Sequence, residues 1–226
     1  MAGEMVRFPS NGRETEGYLA KPASGSGPGV IVIQEWWGLV PHIKDICDRL
    51  AGEGFVALAP DLYHGATTTE PDEAGKLMMA MKMDQAAKDL SGAVDYLAGL
   101  DAASGDKVGC VGYCMGGGLS LFLASLTPQI GACVVYYGVL PGAQPDLAKV
   151  QGAVLGHFAE RDQWASPASV RELENKLRSL GKQVEFHIYP GTDHAFFNDT
   201  RPDVYNTEAA KLSWERTLAF YRQHLG

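Results

Sequence analysis

Short apolar runs alternate with amphipathic helical stretches along most of the chain. Residues 30–33 are continuously apolar, which is typical of a strand covered on both faces. An apolar stripe at helical spacing follows over residues 43–50, and a second apolar run lies at residues 55–59. This strand–helix–strand order predicts an α/β protein whose central sheet is mostly parallel, with helices on both faces.

The other segments continue this alternation. The polar pair Asn11-Gly12 between two short apolar stretches predicts an amino-terminal hairpin, because this pair favours a tight turn. Ser166 followed by Pro167 predicts the start of a helix, and Gly181 predicts its end. Further strands are predicted near residues 108–111, 132–137, 153–159 and 184–189, and further helices near residues 85–97, 119–126 and 214–225.

Residues 61–83 interrupt the regular alternation. They contain a run of three threonines and a Met-rich helical piece that includes Met78 and Met79. Such an insertion either covers a site or is a surface excursion with adaptable side chains. No repeat, low-complexity tract or linker divides the chain, so we predict one domain over residues 1–226.

Composition narrows the functional classes. The chain has 226 residues, of which 46% are hydrophobic, enough for a full core. Its net charge of −8, with no basic cluster, argues against nucleic acid as a partner. No apolar run approaches membrane-spanning length, and the first residues lack a signal pattern. Four cysteines without framework spacing favour a reducing compartment, so we expect a cytoplasmic protein that is a monomer or a small homo-oligomer.

Residues 108–118 carry the strongest chemical signal. A short apolar strand leads into a helix through Cys114, with Gly112 two residues before it and Gly116 two after. This is the spacing of a nucleophile elbow, in which the apex residue is strained and only small neighbours fit. The helix start behind the sulfur favours a thiolate, and the Met115 N–H would face a developing oxyanion.

Other interpretations of Cys114 fit less well. It could be a buried structural cysteine, as we expect for Cys47, Cys110 and Cys133. A redox role would need a resolving cysteine, and Cys110 lies near in sequence but within the predicted strand. A dinucleotide or phosphate loop would show G-x-G-x-x-G, or Lys-Ser or Lys-Thr after the glycines, and neither occurs.

Partners for the nucleophile follow two later strands. Asp162 comes after the strand ending at Ala159, and His194 after the strand ending at Tyr189, which gives the order nucleophile, acid, histidine. His194 would move protons, and Asp162 would orient it, although Glu160 and Asp193 stand close enough to be alternatives. An imidazolium beside sulfur predicts an ionised resting pair. No pair of residues has metal-ligand spacing, so we expect no metal site.

The loop after the strand at 30–33 supplies a third group of residues. In this position α/β-hydrolases have the second N–H of the oxyanion hole, which we assign to Trp36. Glu35 places a carboxylate among aromatic side chains, which is unfavourable unless it has a partner such as a lysine.

Six features together carry a family resemblance. They are Gln34-Glu35-Trp36-Trp37-Gly38, Pro60-Asp61-Leu62-Tyr63, Gly112-Tyr113-Cys114-Met115-Gly116-Gly117, Tyr136-Tyr137-Gly138, Asp162 and Gly191-Thr192-Asp193-His194-Ala195-Phe196. With them the chain resembles the dienelactone hydrolase family (carboxymethylenebutenolidases) over nearly its whole length. The resemblance implies an α/β-hydrolase fold, a Cys114-His194-Asp162 triad, and a Glu35 that contacts the resting thiol and moves as substrate binds. It also implies ester or lactone hydrolysis through a thioester, without a cofactor.

The chain departs from the family at the substrate carboxylate. The family's pattern has two arginines for it, where this chain has Pro71 and Asn198, with Arg201 nearby but out of register. This predicts a pocket for neutral or aromatic esters. We assign substrate contacts to Trp37, Met78, Tyr136, Trp164, Phe196 and Asn198.

Three functions remain open from the sequence. The first is a cysteine-dependent hydrolase of carboxylic esters or lactones. The second is a general aryl or carboxylesterase with side activity on activated phosphoesters. The third is a non-catalytic α/β-hydrolase scaffold that binds a small ligand, which would be expected to have lost a triad member.

Overall fold

The computed structural model describes residues 2–138 and 145–226. This part of the chain contains eight strands: β1 (Glu4–Ser10), β2 (Arg13–Ala20), β3 (Gly27–Ile33), β4 (Val56–Pro60), β5 (Ala103–Tyr113), β6 (Ile130–Tyr136), β7 (Ala153–Ala159) and β8 (Val184–Tyr189). It also contains the helices α1 (Pro41–Gly52), α2 (Pro71–Ala80), α3 (Met83–Ala98), α4 (Met115–Leu126), α5 (Pro167–Ser179) and α6 (Thr207–His224), and a 3₁₀ turn at Leu147–Lys149.

All eight strands form one sheet in the order β1-β2-β4-β3-β5-β6-β7-β8. β1 and β2 form the predicted hairpin, and β2 pairs antiparallel with β4. The other strand pairs are parallel. The carboxyl ends of β3, β5, β7 and β8 therefore lie at the same edge of the sheet, and the predicted mostly parallel α/β sheet is confirmed.

Each face of the sheet carries its own apolar core, because successive strand residues point to opposite faces. On one face, Ile46 of α1 and Leu218 of α6 belong to the same buried cluster as Val111 of β5. On the other face, Leu90 of α3 shares a cluster with Cys110 of β5, and α4 and α5 contribute to it as well. Full burial of each Leu or Ile stabilises the fold by about 1.5–3 kcal/mol. Helices on both faces, as in an α/β-hydrolase, are thus confirmed.

Two elements differ from their predicted extent. β5 begins at Ala103, five residues before the apolar run, because the exposed polar stretch at 104–107 still continues the strand beside β3 across an irregularity in register. In the insertion at 61–83, α2 already begins at Pro71, before the Met-rich piece predicted as helical. Its Ala74 is buried, whereas its Met79 is largely exposed. Within the described ranges, no helix is both long and apolar enough to cross a membrane.

Candidate active site

Cys114 lies at the sharp bend between β5 and α4. Its backbone has φ 55° and ψ −117°, a conformation that residues other than glycine rarely adopt. Backbone hydrogen bonds hold this bend. The Cys114 N–H donates to the Tyr136 carbonyl at 3.1 Å, and the Cys114 carbonyl accepts from the Gly117 N–H at 3.0 Å. The neighbouring strand and the first turn of the helix therefore stabilise the strained residue.

Gly112 and Gly116 make the bend sterically feasible. A β-carbon on Gly112 would overlap the carbonyl of Gly116, and one on Gly116 would overlap the carbonyls of Ile33 and Gln34. Both positions require glycine because the opposing atoms are backbone and cannot move aside. This close approach brings the start of α4 against the end of β3.

Asp162 and His194 form a hydrogen-bonded pair on the loops that follow β7 and β8. His194 Nδ1 lies 2.7 Å from Asp162 Oδ2, while Oδ1 accepts from the N–H groups of Trp164 at 2.8 Å and Ala165 at 3.0 Å. Burial raises the pKa of the Asp162 carboxyl, but the hydrogen bond and charge of His194 and the two N–H donors outweigh it. The net result is a pKa below the ordinary value. Asp162 is thus a carboxylate that leaves only Nε2 of the imidazole for other partners.

The two neighbouring acids have a different role. Arg161 forms a double hydrogen bond with Asp193, at 3.1 and 2.6 Å, and Glu160 accepts from the Gly191 N–H at 2.8 Å. Arg161 also donates to the Gly191 carbonyl at 2.7 Å. These contacts join the loop that carries Asp162 to the loop that carries His194. The two alternatives that the sequence left open beside Asp162 therefore connect the loops and do not contact the imidazole.

The surroundings of Cys114 favour a protonated thiol, whereas the sequence predicts an ionised resting pair. Burial raises its pKa well above the ordinary value, and the charge of Glu35 raises it further. The Met115 N–H and the charge of Arg201 act in the opposite direction but do not compensate. The helix start favours the thiolate, but desolvation of the sulfur is the larger effect on the pKa of Cys114.

Glu35 is almost completely buried at the carboxyl end of β3. Its Oε2 accepts a hydrogen bond from Asn198 Nδ2 at 2.9 Å. Burial raises the pKa of this carboxyl to about 7, although His194, the Asn198 hydrogen bond and Arg201 all act to lower it. The buried carboxyl needs no lysine partner, because the Asn198 amide donates a hydrogen bond to it and it is partly protonated near neutral pH.

The N–H groups of Trp36 and Met115 are the ones expected to hold an oxyanion. Neither donates a hydrogen bond to an oxygen of the described residues. The Met115 N–H forms a hydrogen bond to the Cys114 sulfur, which lowers the pKa of the thiol. Trp36 follows Glu35 directly in the loop after β3. The ring of Trp36 is set edge-on to Trp37, with 5.0 Å between centroids.

A cavity of about 300 Å³ brings these groups together. Its wall consists of Glu35, Trp36, Trp37, Met78, Cys114, Arg161, Gln163, Trp164, Asp193, His194, Ala195, Arg201 and Val204. Three of the six residues assigned to substrate contact therefore border it: Trp37, Met78 and Trp164. Within residues 2–138 and 145–226, no group of three or more His, Cys, Asp or Glu side chains is arranged to hold a metal ion.

The other three assigned substrate contacts do not border the cavity. Tyr136 is fully buried in the core, where its hydroxyl lies 3.0 Å from Thr217 Oγ1. Phe196 is also fully buried, with its ring 5.1 Å from that of Tyr189. Asn198 is buried against Glu35. The structure therefore places Tyr136 and Phe196 in the core beneath the site and Asn198 behind Glu35, which separates it from the cavity.

Sequence reasoning missed the contact that Tyr137 makes with His194. Its ring packs against the imidazole with 5.0 Å between centroids, and its backbone has a φ of 37°. The adjacent pair Tyr136-Tyr137 appeared in the sequence motif, but nothing in the sequence distinguished which ring faces the site. Arg201 was noted there only as out of register, and it borders the cavity.

The redox interpretation of Cys114 is also inconsistent with the structure. Cys110 lies on the opposite face of the sheet from the core against which Cys114 packs. Its strand neighbour is Cys133, and its sulfur lies 3.6 Å from the Ser120 carbonyl. A Cys110–Cys114 disulfide would require the strand to turn over.

Comparisons with known proteins identify the family of the chain. The sequence model of the dienelactone hydrolase family matches residues 15–225. A relative in Aquifex pyrophilus named "Protein usf" is 41% identical over 230 residues, which span 99% of both chains. A relative in Aquifex aeolicus (strain VF5) named "Putative carboxymethylenebutenolidase" is 35% identical over 230 residues, again 99% of both.

A solved structure is similar over the same extent. It is titled "Crystal Structure of Putative Dienelactone Hydrolase from Klebsiella pneumoniae subsp. pneumoniae MGH 78578". It superposes with a TM-score of 0.89 at 31% identity and covers 98% of each chain. The family match over nearly the whole chain and the full-length relatives above 30% identity show that the chain belongs to the dienelactone hydrolase family and is a hydrolase with the α/β-hydrolase fold.

Proposed function

We propose that the chain hydrolyses carboxylic esters or lactones through a Cys114-His194-Asp162 triad and a thioester intermediate. The observation that carries this proposal is the 2.7 Å hydrogen bond between His194 and Asp162 at the cavity that Cys114 also borders. The chain order nucleophile, acid, histidine is that of α/β-hydrolases.

In the first half-reaction, the Cys114 thiol gives its proton to Nε2 of His194 and the sulfur attacks the ester carbonyl carbon. The carbonyl oxygen becomes negative and accepts hydrogen bonds from the N–H groups of Trp36 and Met115. The bond to the alcohol oxygen then breaks, and His194 returns the proton to that oxygen. An acyl thioester on Cys114 remains; with a lactone, the released hydroxyl stays attached to the acyl chain.

In the second half-reaction, a water molecule gives a proton to His194 and its oxygen attacks the thioester carbonyl. The C–S bond breaks, the acid is released, and the proton returns to sulfur. Asp162 stabilises the imidazolium during both halves. Because the resting thiol is protonated, the reactive thiolate forms only during turnover, and the carboxylate form of Glu35 provides a second acceptor for its proton.

The cavity fits a small ester with a flat or aromatic portion. Its volume of about 300 Å³ is at the lower end for ligand sites, and Trp36, Trp37 and Trp164 supply aromatic surface. Arg201 adds a positive charge, but this guanidinium already contacts Asp203 at 3.1 Å. This pairing favours the second candidate function, a general aryl or carboxylesterase for which a substrate carboxylate is optional.

The decisive experiment compares Cys114→Ala with Cys133→Ala on an activated aryl ester. We expect Cys114→Ala to lose at least about 10³-fold in kcat/KM, because the covalent route is removed. Cys133→Ala, which alters a buried cysteine on β6, keeps its activity. Rapid acid quenching followed by mass spectrometry should find the acyl group on Cys114. Full activity in Cys114→Ala, or an acyl group on another residue, would reject the mechanism.

A further inference from the structure

The side chain of Asn198 is held in one orientation. Its Oδ1 accepts two hydrogen bonds from Thr200, one from the backbone N–H at 3.1 Å and one from Oγ1 at 2.6 Å. Its Nδ2 donates to Glu35 Oε2 at 2.9 Å. A rotated amide would present its nitrogen to the Thr200 N–H, so the donor must face Glu35.

We propose that Asn198 is a positioning residue, fixed by Thr200, that holds the Glu35 carboxyl beside Cys114 whether that carboxyl is protonated or ionised. An amide N–H donates to a carboxyl oxygen in either state. The amide also carries no charge that would restrict Glu35 to the carboxylate form. The inference rests on the proposed function, since it concerns the group next to the proposed nucleophile.

Both protonation states of Glu35 are accessible near neutral pH. The ionisable side chains that face it from the surrounding elements are His194, Arg201, Cys114, Tyr113 and Tyr137. The three groups with a thiol or phenol stay neutral because burial raises their pKa. His194 and Arg201 lower the pKa of Glu35, but burial prevails and raises it to about 7.

The hydrogen bond from Asn198 therefore affects the ionisation of both the Glu35 carboxyl and the Cys114 thiol. It favours the ionised form of Glu35, and an ionised Glu35 in turn raises the pKa of the Cys114 thiol. A variant that loses the amide donor should shift the titration of Glu35 to higher pH. The reactivity of the thiol should then change over the same shifted range.

The test measures the titration of Glu35 and the reactivity of Cys114 against pH, and it needs no ester substrate. The Glu35 carboxyl is titrated by ¹³C NMR, with its signal identified by its loss in Glu35→Gln, and Cys114 alkylation by iodoacetamide is followed against pH. We expect Asn198→Leu to raise the Glu35 midpoint by about one pH unit. Asn198→Asp should raise it further, because a second carboxylate opposes ionisation.

Thr200 provides the matched pair of variants. Thr200→Val removes one of the two bonds that fix the amide and should shift the midpoint in the same direction by less, whereas Thr200→Ser should restore the wild-type titration. Thr200 is exposed, so these variants remain informative if Asn198→Leu fails to fold. An unchanged midpoint in Asn198→Leu, or in Thr200→Val if only that variant folds, would overturn the inference.

The failures of the two proposals are distinguishable. A wild-type protein without esterase activity would reject the proposed function and leave the titration of Glu35 intact. An active enzyme whose Glu35 titrates identically in all variants would reject only the role of Asn198.

Discussion

Asp162 and Glu35 are two carboxyl groups buried at the same edge of the sheet, with 3% and 1% of their surface exposed, yet their pKa values shift in opposite directions. Asp162 accepts from the imidazole of His194 and from two backbone N–H groups, and these stabilise the carboxylate. Glu35 accepts from one neutral amide. Desolvation therefore prevails at Glu35, whereas the hydrogen bonds and the charge of His194 prevail over desolvation at Asp162.

In the proposed mechanism, this difference suits two different tasks. A fixed negative charge beside His194 keeps one tautomer and stabilises the imidazolium. A carboxyl that titrates near neutrality beside a protonated thiol can accept a proton during turnover. Substitutions at either carboxyl group, or at a charge that acts on only one of them, test this contrast.

The largest effect is expected for Asp162→Asn. An asparagine can hold His194 in the wrong tautomer, so kcat should fall on the order of 10³–10⁴-fold. Asp193→Asn, the same change beside the same histidine, should cost far less because Asp193 contacts Arg161. Steady-state kinetics on an aryl ester measure both variants. Equal losses would mean that Asp162 has no special role in orienting the imidazole.

The next effect is on stability, through Glu35→Gln. The folded pKa of Glu35, about 7, lies above its ordinary value of 4.5, so the folded state binds this proton more tightly than the unfolded state. The associated stability is fully present below about pH 4.5 and is lost as the pH rises to about 7, roughly 3 kcal/mol in total. Urea unfolding at pH 4.5 and pH 8 should therefore show the variant gaining about that much relative to the wild type. A difference independent of pH would contradict the raised pKa.

The smallest effect is expected for Arg201→Gln. The charge of Arg201 acts on Glu35 but is not among the groups that set the pKa of Asp162. The variant should raise the Glu35 midpoint by less than Asn198→Leu, because Arg201 contributes less than the Asn198 hydrogen bond. Turnover of a carboxylate-bearing aryl ester should fall about tenfold relative to its neutral analogue. Arg201→Lys is the charge-preserving control, and an unchanged preference between the two esters would show that Arg201 does not bind the carboxylate.

The sequence predicts the elements and the position of the bend because both depend on local rules. Glycines are needed two residues on either side of Cys114 because a β-carbon at either position would overlap backbone atoms. Asp162 follows β7 and His194 follows β8, and neighbouring parallel strands bring the residues after their carboxyl ends to one edge of the sheet. Chain connectivity alone therefore places these three residues in the same region.

Other properties of the site depend on contacts between distant segments. Glu35 and Asn198 are 163 positions apart, and their hydrogen bond has no local signature. The ionisation of Cys114 depends on how much water the complete fold excludes, which a motif does not specify. The inward direction of the Tyr136 and Phe196 side chains has the same origin, since it is set by core packing.

The distribution of indole rings has a practical consequence. Trp36, Trp37 and Trp164 border the cavity, and the fourth tryptophan of the chain, Trp214, lies on α6 beneath Arg49. Trp164 is 70% exposed, so a bound molecule would change its surroundings substantially. Intrinsic fluorescence thus provides a label-free optical reporter of occupancy. In an inactivated variant it can rank candidate ligands by affinity before any turnover assay exists.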